Sequence, residues 1–289
     1  MPGKSFTIRT MTRKELDLAI GWAAAEGWNP GLNDAASFYA ADPDGFLIGL
    51  LDDEPIACIS VVKYGSNYAF LGLYIVQPAW RGLGYGLQIW QAGMATLAGR
   101  TIGLDGVQAQ QENYAKFGFV LAYGNIRHQG SGSGGSGAAK PATLAAGVVP
   151  LASLPFELVC AYDQQLFPAP RSEFLRPWLA PAPGAALGVV QDGCLQAYGV
   201  VRASHVGYKI GPLMADTAEL AETLFLALQA QVPEGVPLFL DTPACNPQAL
   251  ELARRHAMFP MFETARMYMG PCPVLPLARL FGVTSFELW

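Results

Sequence analysis

Glycine and serine make up residues 130–137, and this stretch divides the 289-residue chain nearly in half. Such residues cannot bury apolar area, so the stretch is predicted to be a flexible linker that continues through small residues to about Gly147. A chain of this length is expected to hold about two domains. We therefore expect a first domain at 1–128, a linker at 129–147 and a second domain at 148–289.

The order of predicted elements in the first half is repeated in the second. Each half reads as two helices, three strands, and then helix, strand, helix and strand, with one more strand predicted at 283–288. Such a repeat favours two tandem copies of one fold. The expected class is α/β (α+β), with each copy a mixed, mostly antiparallel sheet flanked by helices.

Composition excludes several classes of function. The net charge of −5, without a cluster of lysine or arginine, argues against a nucleic-acid partner. No apolar run is long enough to span a membrane, and the N-terminus lacks the apolar core of a signal peptide, so we expect a cytoplasmic protein. The cysteines show no CxxC spacing and the histidines stand far apart, so no metal site is predicted.

A glycine loop at Arg81–Gly86 is the most informative motif. It follows an apolar run, Ala69–Val76, and opens a helix-like run, Leu87–Ala98. Alternating glycines let backbone N–H groups approach a ligand closely, and a helix N-terminus adds a partial positive charge. The loop is therefore predicted to hold a phosphate group.

The loop could bind one of three kinds of phosphate-containing ligand, or it could be a plain strand-to-helix turn. A Walker A loop needs Lys and Ser or Thr after its last glycine, but Leu87 follows Gly86. A dinucleotide loop is favoured by Asp105 at the end of the next strand, which keeps an NAD-binding oxidoreductase as an alternative. The spacing of Gly82, Gly84 and Gly86 and the antiparallel strands before them oppose it. The third ligand is coenzyme A.

Two motifs support coenzyme A. The stretch Gly72–Gly86 resembles the acyl-CoA-binding motif of the GNAT acetyltransferase superfamily, and Asn113–Phe119 resembles that family's Tyr-x-Lys-x-Gly-Phe segment. Glu26–Gly31 and Asp42–Leu47 are similar to bacterial tandem acetyltransferases of the YitH-like type, whose second domain is also GNAT-like. The resemblance implies an acetyl-CoA-dependent N-acetyltransferase that moves an acetyl group to a primary amine of a small molecule by direct attack.

The resemblance also implies which residues bind the cofactor. The strand Leu73–Val76 would splay from its neighbour, with the Ile75 N–H polarising the thioester carbonyl and Val76 pairing with the pantetheine arm. The loop amides would hold the pyrophosphate, with Arg81 at its edge. The expected cofactor-binding residues are Tyr74, Ile75, Val76, Arg81, Gly82, Leu83, Gly84, Tyr85, Gly86, Leu87 and Asn113.

Roles in catalysis and acceptor binding are assigned by the same resemblance. Tyr114 would give a proton to the departing thiolate. The general base stays open among Asp105, Glu26 and Asp34, each of which could deprotonate an amine through water. Trp28 and Asn29 lie on the loop that covers the acceptor site in this family, so the expected acceptor-side residues are Trp28, Asn29, Asp34 and Glu26. Gln108 or Gln110 would replace an asparagine that the family usually carries.

The second half lacks the glycine loop. Its corresponding segment, Gly211–Glu219, contains Asp216 and Glu219, which would repel phosphate, and Asp216 is expected to cap a helix. We expect this half to bind no coenzyme A and either to complete the acceptor pocket or to be structural, with Asp241 and Asn246 as candidates for a substrate-facing edge. The chain would act as a monomer or homodimer, and a CoA-binding sensor without turnover is the main alternative.

Overall fold

The computed structural model describes residues 5–134 and 147–289. The first half contains six strands and four α-helices among these residues, and those after the first strand follow the order that the sequence predicts. They are β1 (Phe6–Thr10), α1 (Arg13–Ala25), α2 (Asp34–Ala41), β2 (Phe46–Leu51), β3 (Glu54–Tyr64), β4 (Tyr68–Val76), α3 (Tyr85–Ala95), β5 (Thr101–Val107), α4 (Gln111–Lys116) and β6 (Val120–Ser131).

The second half repeats this order and adds a short strand near its end. Its elements are β7 (Val148–Pro150), α5 (Phe156–Asp163), α6 (Ser172–Trp178), β8 (Gly184–Gln191), β9 (Cys194–Ala203), β10 (Tyr208–Ala215), α7 (Ala218–Gln229), β11 (Pro237–Pro243), α8 (Pro247–Arg255), β12 (Phe259–Met269) and β13 (Leu280–Gly282). The prediction of a strand at 283–288 is wrong. Strand pairing ends at Gly282, and the buried residues after it form no further strand.

The predicted fold class is confirmed, since the molecule is a mixed α/β structure with a mostly antiparallel sheet. The named strands form one continuous sheet in the order β1-β2-β3-β4-β5-β12-β6-β11-β10-β9-β8-β7, with β13 beside β10. The parallel pairs among them are β4–β5 and β10–β11. Each half gives its last long strand to the other half, because β12 pairs with β5 and β6 pairs with β11.

Two buried ion pairs join the exchanged strands to the halves that receive them. Arg266 on β12 lies opposite Asp105 on β5, and its Nη2 is 2.6 Å from Asp105 Oδ2. Arg127 on β6 lies opposite Asp241 on β11, and its Nη2 is 2.7 Å from Asp241 Oδ2. Each half therefore holds the strand that it receives from the other through the same kind of arginine–aspartate pair.

The beginning of the expected flexible linker belongs to the sheet instead. Gly130 and Ser131 pair with β11, and Gly132 forms a bridge with Glu234. A Cβ at Gly130 would lie 2.9 Å from Cγ of Met258, so this glycine permits close packing. The expectation of a linker from residue 129 is thus wrong for residues 129–134, and the remainder, 135–146, lies outside the described residues.

The loop between α1 and α2 packs against the second half. Asp34 forms a buried ion pair with Arg202, at 2.7 Å between Oδ1 and Nε, and its other oxygen accepts a hydrogen bond from the Gly31 N–H. The Asn29 amide donates to the Val206 carbonyl at 3.0 Å and accepts from its N–H at 2.8 Å. Asn29 and Asp34 thus join the two halves, which corrects their assignment to the acceptor site.

Candidate active site

The strands β4 and β5 separate partway along their length, as the resemblance to GNAT enzymes implies. They pair from Tyr68 opposite Thr101 to Leu71 opposite Leu104, and no pairing follows. A β-bulge lies just beyond this point, where Leu73 has a φ of +43°. Bulges bend a strand and re-aim its groups, and left-handed backbone at a non-glycine residue is often found at functional sites.

A cavity of about 540 Å³ occupies the slot between the separated strands. It collects residues from the splayed part of β4, the glycine loop and α4, together with residues of the second half. The predicted site residues that line it are Glu26, Trp28, Tyr74, Ile75, Val76, Arg81, Gly82, Gly84, Gly86, Leu87, Asp105 and Tyr114.

Three predicted cofactor residues have side chains elsewhere. Leu83 is exposed on the outside of the glycine loop. The Tyr85 ring packs against Phe6, with their centroids 4.8 Å apart. Asn113 is exposed on α4, where its amide donates to Gln110. Of these, Leu83 and Tyr85 can serve a ligand through the backbone, whereas the Asn113 side chain is part of a surface hydrogen-bond pair.

The glycine loop has the geometry of a phosphate cradle. Gly82 and Gly84 have φ values of +77° and +87°, a conformation that disfavours residues with a side chain. Gly84 immediately precedes α3 and offers no side-chain cap, so the first N–H groups of the helix are left for a ligand. A Cβ at Gly86 would lie 2.8 Å from the Tyr74 hydroxyl, which shows how closely α3 approaches β4. These residues fit the phosphate part of an acyl-CoA.

Arg81 is held at the mouth of the cavity. Its Nε donates to the Val76 carbonyl at 2.8 Å, and its Nη2 forms an ion pair with Glu26. The arginine therefore bridges β4 and the end of α1 while staying about half exposed. The same contacts occupy the Glu26 carboxylate and make it less available as a base.

Tyr114 lines the cavity from α4. Its ring stacks on Trp90, with centroids 5.6 Å apart, and covers Gly106, where a Cβ would lie 2.4 Å from the tyrosine ring. Burial raises the pKa of Tyr114 to about 12. The phenol therefore stays protonated and can donate a hydrogen bond to a sulfur atom, although it is a weaker acid than free tyrosine.

Asp105 is positioned as an anchor between strands. Arg266 contacts both of its oxygens, at 2.8 and 2.6 Å, and Asn125 donates to Oδ1 at 2.8 Å. Burial raises the pKa of the Asp105 carboxyl, while Arg266 and Asn125 oppose that effect. Because Asp241 and Arg127 repeat this pair in the other half, the structure favours a structural role for Asp105 over that of a base.

Residues of the second half that the sequence analysis missed form one wall of the cavity. Phe262 and Thr264 come from β12, and Phe286 and Glu287 from the segment after β13. Both carboxylate oxygens of Glu287 and the Thr264 hydroxyl lack a hydrogen-bond partner among the described residues. No local sequence signal marked these positions, because the exchange of β12 and the course of the chain after β13 bring them to the first half.

The corresponding slot of the second half is filled by the chain itself. β10 and β11 pair only from Tyr208 to Ile210, as β4 and β5 do over their first residues. Beyond that point β13 pairs with β10, and the Val283 N–H donates to the Asp241 carbonyl at 2.8 Å. This closed slot supports the expectation that the second half binds no coenzyme A.

Other expectations for the second half need correction. Thr217, not Asp216, caps α7, because the Asp216 carboxylate instead accepts from Tyr162 at 2.8 Å and pairs with Arg279. Asn246 caps α8 and donates to the Leu280 carbonyl at 2.9 Å, so it holds β13 in place. With Asp241 in its ion pair, neither candidate is free to face a substrate.

Residues 5–134 and 147–289 contain neither a membrane-spanning helix nor a group of metal-binding side chains. None of the helices in these ranges is both long and apolar enough to cross a bilayer. Their His, Cys, Asp and Glu side chains form no group that could hold a metal ion.

Comparison with known proteins agrees with this geometry. Residues 13–119 match the model of the acetyltransferase (GNAT) family, and residues 159–282 match that of an acetyltransferase (GNAT) domain. A holothin acyltransferase from Pseudoalteromonas sp. (strain SANK 73390) is 31% identical over 287 residues, which are 99% of this chain and 95% of that protein.

Solved structures show the same fold. A putative acetyltransferase from Pyrococcus horikoshii superposes with a TM-score of 0.81 at 23% identity, covering 100% of this chain and 98% of that one. A tandem GNAT protein from the clavulanic acid biosynthesis pathway gives 0.61 at 14% identity, covering 93% of this chain and 100% of that one. The chain therefore belongs to the GNAT family and is an acyltransferase with two GNAT domains in tandem.

Proposed function

We propose that the protein is an acetyl-CoA-dependent N-acetyltransferase that acetylates a primary amine of a small molecule by direct attack. The observation that supports this most is the open slot between β4 and β5, which ends at the glycine loop and contains Tyr114. The active unit is the first domain, 1–128, and the second, 148–289, supplies a wall of the cavity.

The residues around the slot have separate roles in the reaction. The loop around Gly82 and Gly84 binds the pyrophosphate, and the bulged part of β4, with Ile75, polarises the thioester carbonyl. The amine nitrogen forms a C–N bond with the carbonyl carbon as the C–S bond breaks. Tyr114 donates a hydrogen bond to the sulfur and assists its protonation.

The name of the holothin acyltransferase makes holothin the first acceptor to assay. The cavity accepts an acceptor with an apolar body, because Trp28, Phe262 and Phe286 line it. We place the reaction in the cytoplasm, in keeping with five cysteines that are all free.

Thiol release from acetyl-CoA in the presence of holothin and a panel of primary amines tests this function. Acceptor-dependent release, with the acetylated amine detected by mass spectrometry, is the expected result. Binding of acetyl-CoA without release for any amine would favour the sensor instead. A thermal shift with NAD but not with acetyl-CoA would favour the oxidoreductase.

A further inference from the structure

Glu287 is a buried carboxylate without a partner. The residue is 2% exposed and lines the cavity, yet neither oxygen has a hydrogen bond among the described residues. A buried carboxylate without partners is costly, and an unsatisfied buried group in a folded protein calls for an explanation.

The cations around Glu287 are committed to other partners. Arg127 is paired with Asp241, and Lys209 donates to the Trp28 carbonyl at 3.3 Å. Both interact electrostatically with Glu287, but neither forms an ion pair with it within the part of the chain that is described. The carboxylate thus lies in a polar environment that leaves its hydrogen-bonding capacity unused.

The backbone of Glu287 lies at the point where β4 leaves β5. A Cβ at Gly72 would be 2.2 Å from the Glu287 carbonyl oxygen, so the two chains are in close contact there. The neighbouring residues fix the segment, because Tyr64 donates to the Leu288 carbonyl at 3.3 Å and Arg171 to that of Trp289 at 2.5 Å. Glu287 is therefore held near the bulge of β4, where the thioester carbonyl is expected.

The same wall carries a second polar atom without a partner. The Thr264 hydroxyl is buried in the cavity lining and unsatisfied, and the side chains beside it, Phe262 and Phe286, are apolar. A carboxylate and a hydroxyl suit an ammonium group, which has only donors, and the aromatic rings suit an apolar body. An ammonium group offers the donors that these unpaired acceptor atoms lack.

We propose that Glu287 binds the ammonium group of the acceptor and takes one of its protons before the attack on acetyl-CoA. This inference rests on the proposed function and assigns its acceptor as a cationic primary amine on an apolar body. One N–H bond breaks toward a Glu287 oxygen, which becomes a carboxyl group, and the freed nitrogen lone pair forms the C–N bond as the C–S bond breaks. A second N–H proton leaves the nitrogen once the C–N bond has formed, and the departing sulfur is protonated with help from Tyr114. The carboxyl group returns the proton to solvent after product leaves.

Glu287→Gln tests the assignment, with Glu251→Gln as the control because Glu251 is a surface residue paired with Arg254. Because the variant loses a charge-assisted contact and the base, we expect its kcat/KM for the amine to be at least about 100-fold lower than that of the wild type. The KM for acetyl-CoA and the acetyl-CoA thermal shift should stay within about 2-fold and about 1 °C of the wild type, as should every parameter of the control.

A Glu287→Gln variant with unchanged kcat/KM for the amine would overturn the assignment of Glu287 alone. Wild-type protein that releases no thiol with any amine would instead overturn the proposed function, and the assignment with it. If the variant does not fold, competition in the wild type decides. An acceptor analogue with a hydroxyl in place of the amine should bind at least about 10-fold more weakly, and equal binding would overturn the assignment.

Discussion

The two halves share one fold but treat the slot between their parallel strands differently. In the first half, β4 and β5 separate after Leu71 and leave a cavity of about 540 Å³. In the second half, β10 and β11 separate after Ile210, and β13 occupies the opening. An acyl-CoA site therefore depends on what fills the slot as well as on the fold.

The loops at the ends of the two slots also differ. Gly82 and Gly84 leave the start of α3 uncapped, whereas Thr217 caps α7 and Asp216 is paired with Arg279. One short segment serves both halves, because it fills the second slot as β13 and then lines the first with Glu287. The second half thus forms one wall of the cavity in the first.

The largest expected effect concerns the ion pairs that the halves share. Arg266→Met leaves Asp105 as a buried, unpaired carboxylate, so we expect the free energy of unfolding to fall by about 3–5 kcal/mol in urea denaturation. Arg127→Met should cost a similar amount through Asp241. A loss below about 1 kcal/mol for either variant would show that the exchanged strands do not depend on these pairs.

Gly84→Asp should remove the cradle and make the first half resemble the second. A carboxylate at the start of α3 repels phosphate, and the φ of +87° strains any side chain, so acetyl-CoA affinity should fall by about 100-fold or more. Gly84→Ala carries only the strain and should lose about 10-fold. Equal losses in the two variants, measured by titration calorimetry, would argue against a phosphate at this loop.

Tyr114→Phe tests a difference between α4 and α8, since α8 carries no tyrosine. We expect kcat to fall about 10- to 100-fold, because the hydrogen bond to the sulfur is lost, with the KM for acetyl-CoA nearly unchanged. The effect is modest because burial already makes this phenol a weak acid. A kcat within about 2-fold of the wild type would leave Tyr114 a packing residue only.

Lys209 is expected to give the smallest effect. It is the second residue of β10, whereas the second residue of β4 is Ala69, so it marks a further difference between the two strands. Burial lowers the pKa of Lys209 to about 8, from 10.5. Between these pH values the unfolded chain binds the proton and the folded chain does not, so folding stability should rise with pH. Relative to Lys209→Met, the wild type should gain about 1–2 kcal/mol from about pH 8 to about pH 9.5 in urea denaturation, and a constant difference would contradict this expectation.

Local patterns in the sequence were sufficient to predict most helices and strands, whereas the splay of β4 was implied only by the resemblance to the GNAT family. Thr12 and Glu15 form a capping box at the start of α1, a local spacing that is visible in the sequence, and the glycine loop identifies the cradle. These features depend on neighbouring residues, whose physical preferences can be read directly.

Long-range pairing could not be predicted. Asp105 is 161 residues from Arg266, and no local pattern indicates that β12 inserts beside β5. Gly130 and Gly132 belong to a stretch with the composition of a linker, but they permit close packing beside the sheet. The contribution of Glu287 was missed for the same reason, because its segment acquires a role only from what it packs against.

The central claim is that the chain has one acyl-CoA site, in the slot of its first half. Titration calorimetry of the full chain with acetyl-CoA, alone and with Gly84→Asp, measures this most directly. The expected result is one molecule bound per chain, with an affinity at least about 100-fold lower in the variant. Two molecules per chain, or undiminished binding by Gly84→Asp, would contradict it.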